Sequence, residues 1–203
     1  MDEIGLFPLQ LVLLPTELIP LHVFEDRYKE LIGECLEHDA EFGLVYADDD
    51  GLREFGTRAR VAQVLTTFPD GRLNVLVQGG ERFRLDELTT GRSFHTGRVS
   101  TVADDDDPAG AEAVARALHA FERLREVTGS DVEVPDGAAE LLSFELAGKV
   151  ELPADDKLEL LGERSERRRL DRVADLLTAA VERAERARLA AERARSNGRV
   201  DLG

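Results

Sequence analysis

The chain has 203 residues, enough for one large or two small domains, and its 42% hydrophobic and 33% charged content fits a folded globular protein and argues against global disorder. A net charge of −16 opposes binding of duplex DNA or an anionic membrane by the surface as a whole. No stretch approaches the ~20 apolar residues of a membrane span, and the acidic start Met1-Asp2-Glu3 lacks the basic residues of a signal peptide.

Ile4 to Leu14 is apolar and bounded by Pro15, which predicts one or two short strands with Pro8 at an edge or a strand start. Ile19-Pro20-Leu21 reads as a second edge or strand-entry segment. Helical spacing then begins at Phe24 and continues through Tyr28, Leu31, Ile32, Cys35 and Leu36, ending near His38-Asp39. Glu25 and Asp26 fall in its first turn, where carboxylates oppose the positive end of the helix dipole. Phe42 to Ala47 is a compact strand, and Asp48-Asp49-Asp50-Gly51 turns the chain. Phe55 to Phe68 forms a long strand whose partner returns from Arg72 to Val77, the two joined by Pro69-Asp70-Gly71; proline presets φ and glycine accepts a positive φ. Gly79-Gly80 marks a bend or bulge, and Arg82 to Leu85 and Phe94 to Val102 add strands.

Asp104 to Asp107 followed by Pro108 marks a boundary between residues 1–103 and 104–203, with Asp107 placed to cap a helix that starts at Pro108. Beyond it the chain reads as helical. Val114, Ala117, Leu118, Phe121 and Leu124 stripe one helix, closed by Thr128-Gly129. Ala138 to Ala147 is a second, and Asp155 caps a turn carrying Leu158, Leu160 and Leu161. A long final helix starts near Arg164, with Leu170, Val173, Leu177, Val181 and Ala184 on one face. From Glu163 to Asn197 it carries ten Arg against seven Asp or Glu, and its Arg- and Ala-rich end is expected to project or fray.

No residue set supplies catalytic machinery. The only Gly-Lys pair, Gly148-Lys149, lacks the rest of a phosphate-binding loop, and no G-x-G-x-x-G follows a strand. His22, His38, His95 and His119 are scattered without zinc spacing, so no cofactor or metal is expected. Cys35, the single cysteine, excludes an intrachain disulfide; on an apolar helix face it predicts an inert core thiol with a raised pKa, which suits a reducing cytoplasm. The cluster Glu25, Asp26, Arg27 and Tyr28, where a loop meets a helix, is the candidate contact surface for a polypeptide, although an ordinary first turn with a local ion pair also accounts for it.

The ordered motifs Leu6-Phe7-Pro8-Leu9, Val12-Leu13-Leu14-Pro15, Pro20 to Tyr28, Phe42-Gly43, Phe55 to Ala59, Asp70-Gly71-Arg72 and Gly79 to Arg84 resemble the N-terminal substrate-binding domain of Lon proteases. They are most similar to small free-standing proteins that contain only that domain. The resemblance implies an α+β fold: a PUA-like, β-barrel-like N-terminal subdomain followed by an α-helical subdomain with a long C-terminal helix. It also implies a non-catalytic module that binds unfolded or partly folded polypeptides as an adaptor or holdase, with a separate protease or chaperone as partner. Peptidase activity is not expected, since the Lon ATPase and Ser/Lys peptidase domains have no counterpart here. The alternative is RNA binding, which PUA-like folds often serve. It needs Arg58, Arg60, Arg72, Arg82 and Arg84 to converge on one face, and the net charge counts against it.

Overall fold

The structure, a computed structural model, describes residues 2–197, with side chains through residue 193. Eleven elements follow one another: β1 (Asp2–Leu9), β2 (Leu18–Val23), α1 (Asp26–His38), β3 (Phe42–Asp48), β4 (Gly51–Thr67), β5 (Leu73–Thr89), β6 (His95–Thr101), α2 (Ala111–Thr128), α3 (Leu142–Gly148), α4 (Ala154–Gly162) and α5 (Glu166–Asn197). The chain divides into two compact units, residues 1–106 with 147–164, and residues 107–146 with 165–203.

The first unit is built on a mixed six-stranded sheet in the order β2-β5-β4-β3-β1-β6. Because the second half of β5 also pairs with β6, the pairings return on themselves and the sheet is barrel-like, with β2 outside the ring. Both strand prolines sit where a ladder bond is dispensable. Pro20 lies in β2, which pairs only with β5, and Pro8 lies beyond Leu6, the last residue of β1 paired with β6. The turn Pro69-Asp70-Gly71 closes the β4–β5 hairpin with Gly71 at φ 82° and a Phe68 N–H to Arg72 carbonyl bond of 2.9 Å. β5 runs unbroken through Gly79-Gly80, and the register shift against β4 between Thr57 and Ala59 marks a bulge there.

Tyr28, Leu31, Ile32 and Cys35 of α1 join Leu21, Val23, Val75, Val77 and Phe42 in the main core. Phe24 and Leu36, expected on the same apolar stripe, are instead exposed. The chain is still extended at Glu25, so Phe24 precedes the helix and does not share its periodicity.

Segment 147–164, which the sequence reading placed with the helical half, groups with the strands, and its contacts explain why. The buried Arg82 guanidinium donates to the carbonyls of Leu161 and Glu163, both at 2.8 Å, and pairs with Asp104. Lys157 Nζ donates to Glu17 Oε1 at 2.7 Å. Asp155 does not cap α4; it lies in the first turn, and Pro153 holds the cap position.

In the second unit α2 and α5 run side by side in parallel, since Arg116 of α2 binds Asp171 and Asp175 and Arg123 binds Glu185. Phe121, Leu170, Val173 and Leu177 are buried there. Asp107 and Pro108 do not start α2, whose cap is Gly110. The Asp107 carboxylate serves α5 instead, accepting from Ser165 Oγ at 2.5 Å and from Arg167 Nε at 3.1 Å. α3 begins at Leu142, four residues after the expected start, because Ala138 and Ala139 close a turn on Asp136. No helix among the described residues is long and apolar enough to cross a membrane. Residues 198–203, part of the end expected to fray, lie outside the described residues.

Candidate functional site

β2 runs into α1 through Phe24 and Glu25, and the four candidate residues lie at that corner. Glu25 holds the cap position without a side-chain cap bond; its Oε2 accepts from Arg27 Nε at 2.9 Å. Asp26, 97% exposed at the side chain, pairs with Lys29 at 2.6 Å. The Arg27 guanidinium carbon stands 4.6 Å from the centre of the Tyr28 ring, and that ring packs against Phe7 at a centroid distance of 4.1 Å. Tyr28 is buried, and burial raises its phenol above the ordinary pKa, with Arg27 drawing it down and Glu25 pushing it up. Three of the four residues therefore present charge at the surface, while Tyr28 is the pillar beneath Arg27.

The corner continues into an uncovered sheet face. Residues pointing inward from β2 and β5, namely Leu21, Val23, Val75 and Val77, are in the core. Their neighbours point outward, because side chains alternate along a strand. Register arranges the outward residues in three rows across β2, β5 and β4: Leu18, Gln78 and Arg60; Pro20, Leu76 and Gln63; His22, Asn74 and Thr66. Leu18 and Phe24 are 52% and 58% exposed. His22 closes the aromatic end of this face. Its ring stacks on Phe24 at 5.8 Å, meets Phe68 edge-on at 6.0 Å, and its Nδ1 lies 2.6 Å from Asn74 Oδ1. Sequence reading missed this face. The signal was the even-numbered run Leu18, Pro20, His22 opposite Asn74, Leu76, Gln78, which becomes a surface only when β2 and β5 pair.

The other constellations do not assemble. Of the arginines that RNA binding would need, Arg58 pairs with Asp2, Arg72 with Asp70, Arg82 with Asp104 and Arg84 with Asp86, so no free basic face forms from them. Among the described residues no group of three or more His, Cys, Asp or Glu could hold a metal ion. Cys35 is buried, and burial, helped by the charge of Glu34, pushes its thiol up to about 11, away from a reactive thiolate.

Comparison with known proteins bears on what such a surface is for. The chain is 29% identical over 192 residues to the Lon protease of Paraburkholderia phytofirmans, a match covering 84% of this chain and 23% of that protein. It is 26% identical over 189 residues to the Lon protease of Brucella suis, with the same coverage. The chain thus spans about a quarter of the length of these curated relatives. The crystal structure of the Lon N-terminal domain protein from Xanthomonas campestris superposes with a TM-score of 0.68 at 29% identity, covering 85% of this chain and 97% of that one. The N-terminal domain of Mycobacterium avium complex Lon protease shares the fold, with a TM-score of 0.64 at 17% identity over 88% of this chain and 98% of that one. A family model described as the ATP-dependent protease La (LON) substrate-binding domain matches residues 3–179, and the chain belongs to that family.

Proposed function

We propose that the outer face of β2, β5 and β4, rimmed by Glu25, Asp26 and Arg27 above the Tyr28 pillar, binds unfolded or partly folded polypeptides as a non-catalytic recognition surface. One observation carries this reading: large apolar side chains, Leu18 and Phe24, stand exposed on β2 and at its end, while their inward neighbours Leu21, Val23, Val75 and Val77 are buried. Contiguous apolar and aromatic exposure rimmed by polar groups is what a protein-binding surface requires. The family description, a substrate-binding domain, points the same way. On this reading the protein serves in the cytoplasm as an adaptor or holdase, passing clients to a separate protease or chaperone.

Anisotropy of a labelled, permanently unfolded protein tests the proposal. The Leu18→Ser/Phe24→Ser variant should bind about tenfold more weakly, since contacts made by even part of two such side chains are worth more than 1.4 kcal/mol. The rim variant Asp26→Ala/Arg27→Ala should weaken binding by a few-fold at most. Equal binding by wild type and the folded Leu18→Ser/Phe24→Ser variant would refute the placement of the surface.

A further inference from the structure

We infer that Arg60 makes this surface selective for polypeptide segments that carry a carboxylate, an inference that rests on the polypeptide-binding reading above. The first unit contains ten arginines, and among the described residues nine of them form ion pairs with Asp or Glu. Arg60 is the exception, in a chain whose acidic residues outnumber its basic ones by 42 to 26. Its partner is a neutral amide: Gln78 Oε1 accepts from Arg60 Nε at 3.1 Å and from Nη2 at 2.5 Å. That contact fixes the plane of the guanidinium without neutralising it. Among the described residues the bonds of this guanidinium run through Nε and Nη2, leaving Nη1 to donate to a ligand, and an oriented guanidinium matches a carboxylate better than a mobile ammonium does.

The position of Arg60 supplies the second part of the argument. It is exposed and ends the row that begins at Leu18, directly across Gln78, while Pro20 and Leu76 occupy the next row. An extended segment laid across these rows rests apolar side chains on Leu18, Pro20 and Leu76 and brings a neighbouring carboxylate to Arg60. The carboxylate belongs either to an acidic side chain or to the free end of the bound chain. Both present the same chemistry to the guanidinium.

Three labelled peptides of one apolar sequence separate these sources: an amidated neutral peptide, an amidated peptide with one internal Asp, and a peptide with a free C-terminal carboxylate. Wild-type protein should bind at least one of the charged peptides about fivefold more tightly than the neutral one, the scale of one well-oriented exposed ion pair. Whichever charged peptide gains identifies the source. The Arg60→Gln variant should lose the preference, and a circular dichroism spectrum and urea midpoint matching wild type show that the variant is folded. The preference should shrink as salt rises. Equal binding of all three peptides, or a preference that survives in Arg60→Gln, overturns the inference and leaves the polypeptide-binding reading standing. Failure of the neutral peptide and of the unfolded protein to bind at all overturns both.

Discussion

Replacing Gly79 by alanine tests whether the close approach of β5 to the 13–17 loop holds the first unit together. An added Cβ at Gly79 would lie 2.1 Å from the Leu14 carbonyl oxygen and 3.0 Å from its carbon, against the ~3.3 Å of an ordinary carbon–oxygen contact. Relief requires more than an ångström of backbone movement, and the loop resists it. Gly79 N–H donates to the Glu17 carbonyl and the Gly79 carbonyl accepts from Thr16 N–H, each at 2.9 Å. Thr57 Oγ1 donates to the Leu13 carbonyl at 2.6 Å, and Glu17 Oε2 accepts from Leu14 N–H at 2.8 Å. Thr16 itself is held at φ 68°, a left-handed conformation that a β-branched residue adopts only under constraint. Overpacking against backbone costs about 1–3 kcal/mol, and each of the two strained backbone bonds adds about 1 kcal/mol. The lower entropy of an unfolded chain bearing alanine returns ~0.5 kcal/mol, leaving a net loss of about 3 kcal/mol. Urea unfolding followed by circular dichroism measures it. The adjacent Gly80→Ala is the control, because its nearest neighbours, the Arg58 carbonyl and Glu41 Oε1, are 3.4 Å away; its cost should stay within about 0.5 kcal/mol. Equal destabilisation by the two substitutions would refute the reasoning.

The second unit has its own buried polar centre. Arg169, fully buried, donates through Nε to Ser143 Oγ at 2.7 Å, pairs with Glu166 and lies 4.1 Å from the Phe144 ring centre. Arg169→Ala should cost about 3–5 kcal/mol by taking this cation from the Glu166 carboxylate, which would keep only the uncharged Ser143 N–H and Oγ donors of this cluster, and a loss below 1 kcal/mol in urea would contradict this. Asp107 should contribute on the acid side: bonds from Arg167 and Ser165 hold its folded pKa below the ordinary value, so its contribution is present above about pH 4 and is lost as pH falls through the folded pKa. Asp107→Asn should therefore lower the urea midpoint at pH 6, and the gap from wild type should narrow as the pH falls below about 4; a constant gap would show that the carboxylate's charge is not involved. Cys35, with its thiol raised to about 11, should resist a thiol reagent at pH 8 in the folded protein and react fully in urea. Rapid labelling of folded protein would contradict the burial of α1's apolar face.

What could be read from sequence was local. Pro69-Asp70-Gly71 declares its hairpin because proline and glycine restrict φ and ψ wherever the chain goes. The stripes Tyr28-Leu31-Ile32-Cys35 and Leu170-Val173-Leu177-Val181 announce which helix faces are buried, since amphipathic spacing is a property of neighbours. The motifs between Leu6 and Arg84 likewise pointed to the Lon substrate-binding domain, and the family match across residues 3–179 agrees. Local signals misled where two readings shared the same chemistry. Asp107-Pro108 has the form of a helix start, yet its carboxylate is used by Ser165 and Arg167, 58 and 60 residues away.

The charged corner Glu25, Asp26 and Arg27 was visible in sequence, but the face beside it was not. Leu18, Leu76 and Arg60 share a surface only through the registers of β2 with β5 and β5 with β4. Nor does composition reveal which arginines are neutralised. Arg58 and Arg60 are two residues apart in one strand, yet among the described residues Arg58 meets Asp2 while Arg60 meets an amide. Sequence alone determined where the chain turns, which faces are apolar and which family it resembles, because these depend on residues a few positions apart. Tertiary structure decided which charges remain available and which apolar side chains stay uncovered, because both depend on partners that only folding brings within a few ångströms.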